Sequence, residues 1–214
     1  MFSPTEDMRL ISALVFGANL TRARIVTPTL QMVAPMRVHP FVAATSIPTN
    51  ANIANFMDNP PLLRAAEQID VQTTNDAGAG VTHFALLNFR FRDQNVPTGQ
   101  RYVIRGTGTT TLAANAWTVC PITWETVLPA GRYAVVGLTG ISVSAVAVRL
   151  AIPGVGWRPG VSGLLLAGSR LPDIYNERQP GYMGEFTNAA MPQAEFLATA
   201  ADTAQEVYMH VIKL

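Results

Sequence analysis

Charge is scarce in this chain. Aspartate, glutamate, lysine and arginine make up only 14% of its 214 residues, where a typical soluble domain carries roughly 25%. Such a surface either draws its solubility from Thr, Asn, Ser and Gln or is covered by other molecules. Fifteen basic residues against 14 acidic ones leave a net charge of +1, and no basic block occurs. Nucleic-acid binding by phosphate neutralisation is therefore disfavoured as the main role. Lysine is nearly missing: Lys213 stands alone, and the other cations are arginines. The forked guanidinium suits carboxylate and carbonyl contacts at interfaces, although codon bias accounts for the same excess.

Cysteine is also nearly missing. Cys120 alone excludes an intrachain disulfide and a cysteine metal cluster. No run of 18 or more apolar residues occurs, so no membrane-spanning helix is expected. The opening "MFSPTEDMRL" has acids where a signal peptide needs a basic stretch. Synthesis in a cytoplasm is expected.

Strand-like segments are abundant. "QIDVQTT", "VTHFALLNFRFRD", "RYVIRG", "AWTVCPITWETV", "RYAVVGLTG", "ISVSAVAVRLAI", "SGLLLAG" and "EVYMHVIKL" follow one another, each bounded by Gly, Pro or Asn. Strands of this length with frequent turns predict an all-β fold, an antiparallel β-sandwich in the form of a jelly roll of about eight strands. No strand–helix alternation occurs, which argues against a Rossmann or barrel architecture. Within Ala130–Gly154 the spacing predicts a hairpin joined near Leu138–Ile141 through Gly140. In its second strand Val143, Ala145, Ala147 and Arg149 share one face, and Ser144, Val146, Val148 and Leu150 the other. The small residues of such a face let another sheet or subunit approach closely.

The first 65 residues have a different texture. Ser3, Pro4 and Glu6 form a capping box ahead of Met8, Ile11 and Val15, which predicts a short N-terminal helix ending at Gly17; a strand through "LISALVF" is the alternative. Prolines 28, 35, 40 and 48 then break the chain into short extended pieces and long Pro-rich loops. Residues 1–65 are expected to form a helix and extended arm packing on the sandwich or on neighbours, and 66–214 the jelly-roll domain.

Chemical signatures are few. His39, His83 and His210 lie in separate segments without metal-ligand spacing. "GTGTTT" and "GVGWRPG" fit neither a dinucleotide fingerprint nor a P-loop, and read as loops between strands. "GVSGL" around Ser162 lacks the context of a nucleophile elbow. Asp173, Glu177 and Glu185 read as loop carboxylates rather than a glycosidase pair. Trp117 and Trp124 are seven apart, which on a regular strand sends them to opposite faces; Trp157, beside Arg158, is the better candidate for stacking on a sugar. No catalytic residue, metal or cofactor is expected.

These features resemble the jelly-roll capsid proteins of non-enveloped or tailless viruses. The likeness rests on the N-terminal helix, the Pro/Asn/Thr-rich loops, the strands quoted above and the last of them, "EVYMHVIKL". It implies a structural virion protein, made in the host cytoplasm, whose partners are copies of itself and other virion proteins. The N-terminus departs from many RNA-virus coat proteins in lacking a basic arm, which implies packaging by other means, as in bacterial or archaeal DNA viruses. Candidate interface residues are Phe41, Val42, Ile47 and Phe56 in apolar loops, with Arg22, Arg24, Arg37, Arg64 and Arg178 as inter-subunit cations. The alternative is a glycan- or receptor-binding sandwich, a spike or adhesin head, contacting its ligand through Trp157.

Overall fold

The computed structural model describes residues 4–17, 19–29, 41–42, 54–56, 60–75, 83–91, 97–156, 159–162, 164–165 and 182–214. Apart from helical backbone at 28–29, its regular structure is strand. Residues 1–93 and 94–214 form two compact units.

The first unit holds β1 (Met8–Gly17), β2 (Leu20–Val26), β3 (Phe41–Val42), β4 (Ala54–Asn55), β5 (Leu62–Leu63), β6 (Asp70–Asn75) and β7 (His83–Phe91). β7 runs antiparallel along β1, while β4 and β5 pair with Ser12–Ala13 and Met8–Arg9. A second sheet has the order β3-β2-β6. Met8, Leu10 and Ala13 from one sheet and Ile25 from the other share a buried cluster with Leu63 and Ile69. Asn19 makes the turn between β1 and β2 at φ 63°, a left-handed conformation that asparagine tolerates better than most residues.

The predicted N-terminal helix is therefore corrected to a strand. A register shift between Leu10 and Ser12 leaves Ile11 as an extra residue. Such a bulge breaks the alternation of period two, and with Ile11 also buried, Met8, Ile11 and Val15 mimic helical spacing in the sequence. Local capping yields here to the long ladder with β7, which satisfies the same backbone groups.

The second unit holds β8 (Arg101–Gly108), β9 (Trp117–Cys120), β10 (Thr123–Trp124), β11 (Arg132–Ser142), β12 (Ala145–Ala151), β13 (Gly160–Ser162), β14 (Leu164–Leu165), β15 (Gly184–Thr187), β16 (Gln193–Ala198) and β17 (Gln205–Lys213). One sheet has the order β10-β8-β17-β11-β14, with β15 also on β11; the other has β13-β12-β16-β9. The long strands β8 and β17 are neighbours, and β9 and β16 are neighbours in the opposite sheet. β11 lies beside β17 and β12 beside β16, with β15 and β13 outermost. This nested wrapping, antiparallel through all eight of these strands, is a jelly roll.

The two inner faces close on a single core that includes Ile104, Cys120, Tyr133, Val135, Val148, Leu150, Phe196, Val207, Met209 and Val211. Full burial of each large side chain contributes about 1.5–3 kcal/mol. Tyr133 stacks on Phe186 with centroids 5.7 Å apart, and its hydroxyl donates to the Pro129 carbonyl at 2.6 Å.

The expected hairpin at Gly140 is also corrected. β11 runs through Gly140 to Ser142, the chain turns at 143–144, and β12 enters the facing sheet. Gly140 permits close packing rather than a turn: a methyl group built on it would stand 2.5 Å from Val148 Cβ. A register shift between Ala145 and Ala147 further moves Ala145 into the core with Val148 and Leu150, away from the face shared by Ala147 and Arg149.

Candidate interaction surface

The sheet β13-β12-β16-β9 has a second face, turned away from the core. Alternation decides what it carries. Cys120, Ala194 and Phe196 point inward. Their strand neighbours form two rows outside, Trp117–Leu197–Ala147 and Val119–Glu195–Arg149, each read straight across the ladder. Trp117 is 38% exposed and Val119 57%. Contiguous apolar surface of this kind, when it extends further, marks an interaction site.

The charges on this face neutralise each other. Arg149 Nε donates to Glu195 Oε2 at 2.5 Å, and the guanidinium carbon lies 4.0 Å from the centre of the Trp117 ring. The Glu195 side chain is only 9% exposed, and the ion pair offsets part of the cost of burying its carboxylate. Arginine over an indole adds a cation–π attraction of about 0.5–2 kcal/mol. The result is a platform with an indole and a valine on view, a half-buried leucine between the strands, and the Arg149–Glu195 ion pair closed within it.

Nearby polar groups lock the fold. At the 143–144 turn Asp202 accepts from the Ser142 hydroxyl, the Val143 amide at 3.0 Å and the Thr203 amide at 2.7 Å. Burial pushes its carboxyl up, but these bonds and that of the Ala204 amide outweigh it and hold the pKa below the ordinary value. In the first unit Glu67 is the counterpart. Burial pushes it up, and the amides of Thr29 and Arg64 with the hydroxyls of Thr27 and Thr29 bring it down on balance. On the outer face of the sheet that contains β8, Arg105 bridges Glu206 at 3.0 Å and Glu125 at 2.5 Å.

The sequence-expected interface residues are placed as follows. Phe41 and Val42 form β3, paired with Ala23 and Arg22. Phe56 is half-buried against the first unit's cluster. Arg22 is exposed; Arg24 donates to Gln72 Oε1 at 2.7 Å, and Arg64 pairs with Asp7 at 2.9 Å. Arg37, Ile47, Arg178 and Trp157 lie outside the described residues. Thus Arg22 and Val42 are brought side by side, while Arg24 and Arg64 are engaged within the chain. Trp117, Val119, Glu195 and Leu197 were not singled out as interface residues, although the alternation of "WTVC" and "AEFLA" carried the signal. Trp124 is half-buried against the core and donates its indole N–H to the Pro192 carbonyl at 3.1 Å.

Among the described residues no group of three or more His, Cys, Asp and Glu could hold a metal ion, and no helix is long and apolar enough to cross a membrane. No family model and no curated protein matches the chain. Among solved structures, the crystal structure of the major capsid protein P2 from bacteriophage PM2 matches over 99% of this chain and 90% of that one, at 10% identity and a TM-score of 0.30. At that score the likeness carries no argument about fold or role. The structure's own topology assigns this chain to the all-β sandwiches, with a jelly roll in its second unit.

Proposed function

We propose that the chain is a structural protein of a virus capsid, assembling with copies of itself into a symmetric shell. One observation carries this reading: the jelly roll leaves the Trp117–Val119–Leu197 face open, with its ion pair closed internally. A ligand-binding or catalytic face needs polar groups left over to recognise something. This one offers area and shape instead, which is what repeated subunit contacts of roughly 1,200–2,000 Å² require. The low charge of the whole chain supports the same role, and closed symmetry ends the growth of such a shell. Phe41, Val42, Ile47, Phe56 and the arginines 22, 24, 37, 64 and 178 are further interface candidates, and other virion proteins are further partners.

Light scattering and negative-stain microscopy of the purified chain test the proposal. Regular particles or large uniform oligomers are expected, and Val42→Glu is expected to give soluble subunits that do not assemble. A monomer at all concentrations and salt conditions, especially one retained on a glycan array and released by Trp157→Ala, favours the glycan-binding head instead.

A further inference from the structure

We infer that β9 is a self-pairing edge, through which two copies of this chain join antiparallel about a two-fold axis at Thr118. The inference deepens the shell proposal and rests on it.

β9 ends the order β13-β12-β16-β9, and among the described residues only β16 pairs with it. Among the described residues its other edge has no strand beside it and offers a template for a further one. Natural proteins guard such edges with charge. In the companion sheet β8 carries Arg101 and Arg105 near one edge, and β15 carries Glu185 at the other. β9 reads Trp-Thr-Val-Cys and carries no charge, no proline and no glycine.

The occupant follows from the side chains. A two-fold axis at Thr118 sets Trp117 of each copy against Val119 of the other, on the same outward face. Aromatic against β-branched is a favourable cross-strand pairing, and the symmetry makes it twice. A second copy also suits the electrostatics. Arg149 is already paired with Glu195, so a charged partner strand would lose solvation here, whereas this strand brings no charge of its own. Cys120 is fully buried and forms no covalent link across the axis.

Hydrogen–deuterium exchange on dispersed and assembled protein tests the inference, together with Val119→Lys and a Val119→Thr control. On assembly the amides of residues 117–120 are expected to slow by about tenfold or more. Val119→Lys, with an unchanged far-UV spectrum and melting temperature, is expected to raise the concentration needed for assembly by about tenfold or more. Val119→Thr should assemble like the parent. Particles that form with exchange at 117–120 unaltered, and equally well with Val119→Lys, overturn the self-pairing and leave the shell proposal standing. Protection that appears only when a different protein is added overturns the self-pairing. A chain that stays monomeric throughout overturns both.

Discussion

Gly140 on β11 faces Val148 on β12 across the interior of the jelly roll, with no room between them for a methyl group. Gly140→Ala is therefore expected to force the two sheets apart or push Val148 off its rotamer. Overpacking of this kind costs about 1–3 kcal/mol. Urea unfolding checks it, and Gly140→Ala combined with Val148→Ala should recover part of the loss. The extended backbone at this position makes a conformational role for the glycine unnecessary.

Asp202 makes the second unit acid-sensitive. Its folded-state pKa lies below the ordinary value of 3.8. Its contribution is thus complete above that value and is lost as pH falls through the depressed one. Asp202→Asn is expected to cost about 1–3 kcal/mol at neutral pH and to flatten the stability profile between about pH 5 and pH 2. Glu67, lowered from 4.5, should give the first unit the same sign of dependence. Urea melts across that range, on the parent and on Asp202→Asn and Glu67→Gln, measure both.

Arg149 supports the exposed platform more than it decorates it. Arg149→Ala removes the arginine that pairs with the nearly buried Glu195 carboxylate, and a loss of about 1.5–3 kcal/mol is expected. Replacing both, Arg149→Met with Glu195→Leu, should restore most of that stability, because two apolar side chains leave no orphaned charge. A double-mutant cycle in urea reads out the coupling.

Cys120 is buried and its Sγ lies 3.1 Å from Gln205 Oε1. A thiol-reactive aromatic disulfide is expected to label the native protein only as fast as the unit opens. The labelling rate should then rise with urea in step with the unfolding rate. Fast labelling of the folded protein would contradict this placement.

The jelly roll was largely legible because its strands announce themselves. "EVYMHVIKL" alternates cleanly, and Val207, Met209 and Val211 all reach the core. Two of the misreadings share one physical cause, the two-to-one pairing of a bulge. At Ile11 it made a strand look helical, and between Ala145 and Ala147 it sent Ala145 to the opposite face from the one its parity implied. Gly140 was misleading for another reason: glycine marks a turn and a close approach alike, and only the facing strand distinguishes them. The outward surface was half legible. Arg149 and Ala147 were placed on a small-residue face, but Trp117 and Val119 join them only through β16, a neighbour that no local pattern reveals.

β17 occupies the middle of its sheet, between β8 and β11, yet among the unit's strands it is the last to be synthesised. Among the described residues, β8 has otherwise only the short β10 beside it, and β11 only β14 and β15. Without β17 the β10-β8 and β11-β14 parts of the sheet share no strand pairing among the described residues. Closure of this sheet needs β17 to pair with both, a long-range step of the kind that makes such topologies slow.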